Sequence, residues 1–146
     1  MDGRVEGIFL TDTHGVLPEP VESVRALAGR GLEGGRYFDD PDPGRNLTLI
    51  AAEALEAFER ETGISLSAAE SRRNVLTRGI DVNALVGKRF RVGELECYGV
   101  ELCEPCANLE SMTRQGVLKA LVHRAGLNAD ILGDGEIAVG DAVVRA

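Results

Sequence analysis

Two thiols stand three residues apart in Cys103-Glu104-Pro105-Cys106, just past a strand-like run. Three chemistries suit that pair: persulfide transfer, thiol redox work and metal ligation. Cys106 is the stronger candidate. A thiolate is both a sulfur acceptor and a soft metal ligand, and Pro105 fixes the backbone before it. If Cys106 opens a turn through Ala107-Asn108-Leu109, helix-terminal N–H groups favour its thiolate. The competing reading is a buried structural cysteine. Cys103 either resolves a persulfide or sulfenate on Cys106 by forming a disulfide, or is a strand residue facing the core beside Leu102. Cys97 alternates with Leu95 and is expected in the core.

A second set is cationic. Arg36, Arg45, Arg72 and Arg73 lie near glycines and turn-forming residues in a chain of net charge −8. Guanidinium groups are planar, multi-donor partners for anions. If the fold gathers them, they make a local basic pocket for a small anionic ligand, to which Asn74 adds a directional hydrogen bond. Thr48 either does the same from its strand or, as the stronger expectation, is satisfied there as a β residue. A structural zinc site needs four ligands, and one close cysteine pair, a distant Cys97 and the unpaired His14 and His123 do not supply that pattern. Asp81 and Asn83 read as caps of a short turn, and Gly140-Asp141 as turn chemistry between the last strands.

The elements that must position these residues are short. Alternation predicts strands over Arg4–Leu10, through Val21, Val24 and Leu27, over Asn46–Ile50, Asn74–Thr77, Arg89–Val92 and Leu95–Leu102, with Ala129–Leu132 and Glu136–Val144 closing the chain. Asp39-Asp40-Pro41-Asp42-Pro43-Gly44 is a loop on composition. Ala51 to Thr62 is the clearest helix, with Ala51, Ala54, Leu55 and Phe58 on one stripe and Gly63 after it. Ser67-Ala68-Ala69-Glu70 has capping-box form, Asp81–Leu85 reads as a helical turn, and a second helix is expected over Gly116 to Arg124. Many short strands with glycine-rich turns point to a mostly β, α+β fold: a β-barrel with two or three packed helices. The absence of regular βαβ alternation argues against a doubly wound sheet.

The chain has 146 residues, of which 44% are apolar and 27% charged, so one globular domain over 1–146 is expected. No apolar run approaches the roughly 20 residues that cross a bilayer, and the start of the chain lacks a signal-peptide pattern. The cysteine count is odd, which suits a reducing cytoplasm better than a disulfide framework. An acidic chain is a poor match to nucleic acid.

Six segments taken in order resemble the MOSC domain, the fold of the C-terminal part of molybdenum-cofactor sulfurases. They are Gly31-Leu32-Glu33-Gly34-Gly35-Arg36-Tyr37, Arg45-Asn46-Leu47-Thr48-Leu49-Ile50, Arg72-Arg73-Asn74-Val75, Gly79-Ile80-Asp81-Val82-Asn83-Ala84-Leu85-Val86-Gly87, Pro105-Cys106, and Gly135-Glu136-Ile137-Ala138-Val139-Gly140-Asp141. The resemblance implies a barrel with helices packed around it, and a functional Cys106. In sulfurase-type members the matching cysteine carries a persulfide to the molybdenum cofactor; in amidoxime-reducing relatives it ligates molybdenum. The arginine set, with Asn74, would then bind a pterin phosphate or an oxyanion. Gly35 stands where the family often has Asp. The pyridoxal-phosphate half of fused sulfurases has no counterpart here, and neither Lys88 nor Lys119 sits in a motif for that cofactor. The leading expectation is a sulfur carrier, with a cysteine desulfurase as donor and a molybdenum- or other metal-sulfur protein as acceptor. The alternatives are a molybdenum-dependent reductase of N-hydroxylated compounds with Cys106 on the metal, an anion-binding module, and a thiol redox switch.

Overall fold

The structure, a computed structural model, describes residues 3–13, 16–41, 44–102 and 126–145. Cys103, Cys106, His14, His123 and the helix expected over Gly116 to Arg124 lie outside the described residues. In chain order the elements are β1 (Gly3–Leu10), β2 (Glu19–Val21), β3 (Ser23–Leu27), β4 (Gly31–Leu32), β5 (Leu47–Ala51), α1 (Ala52–Thr62), β6 (Val75–Arg78), a 3-10 turn (Val82–Leu85), β7 (Arg89–Val92), β8 (Leu95–Leu102), β9 (Leu127–Ile131), β10 (Gly135–Ala138) and β11 (Ala142–Arg145).

Seven strands, in the order β11-β7-β8-β9-β5-β6-β1, close into a barrel through pairing of β1 with β11, Gly3 opposite Val143. Closure removes the free sheet edges that invite aggregation. β2 adds to the outer half of β1, and β10, β3 and β4 form a separate small sheet. The β5–β6 pair is parallel and α1 is part of its crossover, as a parallel pair requires. The fold is mostly β with packed helical elements, as the turn-rich sequence implies.

Alternation fills the barrel. Phe90 and Val92 of β7, Leu95 and Cys97 of β8, and Leu127, Ala129 and Ile131 of β9 are buried together. On β5 both faces are covered. Leu47 and Leu49 enter the barrel core, whereas Ile50 meets Leu55, Phe58 and Leu66 in a second cluster under α1. The helix buries Ala52, Leu55 and Phe58, a stripe displaced by one residue at its start from the Ala51-based expectation. Gly63 ends it in the left-handed region at φ 73°, its N–H donating to the Glu59 carbonyl.

Two expected single strands are divided. The run through Val21, Val24 and Leu27 becomes β2 and β3, which pair in different sheets: Val21 opposite Ile8, Val24 opposite Ile137. The run from Glu136 to Val144 becomes β10 and β11, separated at Gly140-Asp141, where the Asp141 carboxylate accepts from the Ala138 N–H at 2.9 Å. In both cases the apolar period persists through a corner where the pairing partner changes.

Candidate functional site

The outward face of β5 and β6 carries the site. Thr48 shares that face with Ile50, and Asn74 directly precedes β6. They are locked together: the Thr48 hydroxyl donates to Asn74 Oδ1 at 3.0 Å and accepts from the Asn74 N–H at 2.9 Å. Asn74 also joins β1, its carbonyl accepting from the Phe9 N–H at 2.7 Å. Its amide position is therefore fixed by two strands.

Arg72 is delivered by the turn before β6. Ser67 and Glu70 form the expected reciprocal cap, with Ser67 N–H donating to Glu70 Oε1 at 2.9 Å and Glu70 N–H to Ser67 Oγ at 3.1 Å. The turn ends with Arg72 at φ 65°, a left-handed conformation that costs a non-glycine residue about 1–2 kcal/mol. The side chain is 8% exposed, and its Nη1 donates to the Val16 carbonyl.

Arg36 and Tyr37 come from the loop after β4. Arg30 and Asp39 clip the base of that loop, Nε to Oδ1 at 2.5 Å and Nη2 to Oδ2 at 3.0 Å, and the Asp39 N–H donates to the Arg30 carbonyl at 2.7 Å. The Arg30 guanidinium also lies 4.8 Å over the Phe38 ring. Tyr37 sits between two cations, Arg36 at 5.1 Å and Arg45 at 4.8 Å from its ring centroid.

These pieces enclose two adjoining clefts. One is lined by Thr11, Pro18, Arg36, Tyr37, Thr48, Arg72 and Asn74. The other shares Arg36, Tyr37 and Asn74 and adds Leu32, Gly35, Phe38, Arg45 and Asn46. Each is open to solvent and small. The fold thus gathers Arg36, Arg45, Arg72 and Asn74, but Arg73 lines neither cleft. The left-handed turn at Arg72 explains the split between two adjacent arginines. Among the described lining residues none is Asp or Glu.

The electrostatics are unbalanced. Burial, and secondarily the charge of Arg36, lower the pKa of Arg72 from its usual value. Among the described residues, Arg36 Nη1 and Arg72 Nε are buried without a hydrogen-bond partner. A buried donor on a charged group that lacks an acceptor is expensive to leave in place. An oxyanion has the acceptors that two such donors beside one cleft lack. Tyr37, Thr11 and Pro18 carry no distinctive spacing in the sequence. For Tyr37 a signal existed: it adjoins Arg36 within a glycine-rich segment.

Cys97 is fully buried, and desolvation pushes its thiol up to about 12. It serves packing. Among the described residues no group of three His, Cys, Asp or Glu side chains could hold a metal ion. Nor is any described helix long and apolar enough to cross a membrane.

Comparison with known proteins agrees with this architecture. Solved structures similar to the chain include YuaD from Bacillus subtilis, with a TM-score of 0.82 at 15% identity over 100% of this chain and 97% of that one. YiiM from Geobacillus stearothermophilus aligns with a TM-score of 0.79 at 17% identity, covering 99% of this chain and 75% of that one. YiiM from Escherichia coli gives 0.71 at 19% identity, covering 98% and 69%. At these identities the likeness speaks for the fold alone. No curated protein matches the chain. The MOSC domain model matches residues 34–144, which takes in every described residue of the two clefts except Thr11, Pro18 and Leu32, and the chain belongs to the MOSC domain family.

Proposed function

We propose that this protein handles sulfur at Cys106 beside a cleft that holds the phosphate end of a molybdenum cofactor. The observation that carries the reading is the pair of buried, unpartnered guanidinium nitrogens of Arg36 and Arg72. The donor set fits such a group. It offers two guanidinium groups, the Thr48–Asn74 pair and, among the described residues, no competing carboxylate. When bound, the cofactor supplies a metal that takes sulfur or oxygen ligands and changes oxidation state. Arg36 and Arg72 neutralise its anionic end, and Asn74, held by Thr48, sets its orientation.

Covalent reach supports pairing this cleft with Cys106. Leu102, the last residue of β8, is opposite Leu127, which is opposite Leu49, the neighbour of Thr48. Two strand spacings separate Leu102 from β5, about 10 Å. Cys106 follows Leu102 by four residues, a tether of up to about 13 Å. The sulfur step needs no external oxidant. The Cys106 thiolate attacks the outer sulfur of a donor persulfide, such as that of a cysteine desulfurase. The donor S–S bond breaks, the donor cysteine leaves as thiolate, and Cys106 keeps the persulfide for an acceptor protein.

The test is loading by a persulfide donor, read by intact mass and peptide mapping. Wild type should gain one sulfur on Cys106, and Cys106→Ser should gain none. Equal loading of the two proteins would sink the reading. The gathering of Arg36, Arg72 and Asn74 at one cleft also suits a second reading, a resident cofactor in a reductase of N-hydroxylated compounds with Cys106 as metal ligand. That reading requires a molybdenum-containing mass, lost on denaturation, in protein from a cofactor-competent host, and an external electron donor.

A further inference from the structure

We infer that the paired clefts take a diphosphate-bearing ligand rather than one carrying a single phosphate group. This deepens the reading above and rests on its anion cleft.

Three arginines serve two adjoining spaces. Arg72 belongs to one cleft, Arg45 to the other, and Arg36 lines both. Arg36 and Arg45 flank one ring, at 5.1 and 4.8 Å from the Tyr37 centroid, so their guanidinium carbons are less than about 10 Å apart. Asn74 also lines both clefts, and buried Asn46 lines the second. The described lining residues include three arginines and no carboxylate, in a protein of net charge −8.

Charge matching then selects the ligand. A single phosphate ester brings about −1.5 to −2 at neutral pH. It satisfies the buried donors of Arg36 and Arg72 but leaves about one positive charge over at Arg45. A diphosphate on one ester brings about one further negative charge and a second set of acceptor oxygens. Its two phosphoryl groups occupy the two clefts, with Arg36 at the bridge, Arg72 at one end and Arg45 at the other. Tyr37 and Asn74 form the shared wall. Position 35, a glycine whose added Cβ would lie 3.1 Å from the Leu32 carbonyl, offers no side chain to intrude on the second cleft.

Calorimetric titration of the full chain with phosphate, pyrophosphate and a nucleoside diphosphate tests this, on wild type, Arg45→Gln and Arg72→Gln. Arg45 is exposed, so its substitution leaves the fold intact. Pyrophosphate should bind about tenfold to hundredfold more tightly than phosphate, the gain of one more charge-assisted contact. Arg45→Gln should remove that gain, lowering pyrophosphate affinity to that for phosphate in the same variant. Arg72→Gln should weaken all three ligands. An Arg45-dependent gain for both diphosphates supports recognition of the diphosphate itself; a gain for pyrophosphate alone assigns the free anion, and one for the nucleotide alone the ester. Equal affinity for phosphate and both diphosphates, or a gain that survives Arg45→Gln, overturns the inference. The underlying reading fails separately: a lost Cys106 loading with the diphosphate preference intact condemns the sulfur chemistry alone, and intact loading with no preference condemns this inference alone.

Discussion

Replacing Arg72 by Met should raise stability in anion-free buffer and lower it, relative to wild type, once an anion is present. The Arg72 side chain is 8% exposed, its Nε has no acceptor, and its neighbour is another cation. Removing that donor relieves about 1–3 kcal/mol of uncompensated desolvation. Methionine keeps most of the apolar stem and fills similar space. The loss is the bond from Nη1 to the Val16 carbonyl. Val16 is 48% exposed, so water can replace the donor there and the loss is about 1 kcal/mol. The left-handed backbone is common to both proteins and cancels. The balance is about 1 kcal/mol in favour of the variant, or roughly 2–4 °C in Tm for a chain of this size. Phosphate at a hundred times its Kd then adds about 2.7 kcal/mol to wild type alone, which reverses the order. Thermal unfolding in a zwitterionic buffer, with and without phosphate, reads both signs. If Arg72→Met is the less stable protein without anion, the buried guanidinium is balanced within the fold and the receptor argument collapses.

Two further outcomes are open to direct measurement. Cys97 has a folded pKa of about 12 against an ordinary 9.0, so its contribution is complete below pH 9 and is lost as pH rises from about 9 to about 12; urea midpoints across that window should fall, and Cys97→Ala should flatten that part of the profile. Gly99→Ala should be severely destabilising, by about 3 kcal/mol or more, because the added Cβ would lie 2.0 Å from the Leu85 carbonyl oxygen and 2.7 Å from its carbon, both immovable backbone atoms; a urea midpoint within error of wild type would show that the barrel yields there.

The barrel was legible in the sequence where one period met one partner. Arg89-Phe90-Arg91-Val92 and Leu95 onward alternate about the Gly93-Glu94 turn, and they pair with Phe90 opposite Cys97. The capping box at Ser67 and Glu70 was equally plain, since both of its bonds are local. Pairing choice was not. Nothing within Val21–Leu27 says that Val21 will face Ile8 and Val24 will face Ile137, because alternation records which side is buried and not which strand lies alongside.

The site divides in the same way. The gathering of arginines could be expected from their placement near turns; which of two neighbours would turn inward could not. Arg72 lines the cleft and Arg73 does not, and the difference lies in one left-handed φ, at a residue whose type does not announce it. Glycine or asparagine there would have advertised the turn. An arginine holds it against strain and against the charge of Arg36, so the position is shaped by something other than folding. Thr48 shows the converse. Its expected role as a satisfied strand residue and its place in the cleft are one arrangement, because the hydroxyl that bonds Asn74 also fixes the amide that lines both spaces. Local satisfaction at Thr48 and unpartnered donors at Arg36 and Arg72 therefore meet in one place: fixed walls around guanidinium nitrogens that lack an acceptor among the described residues.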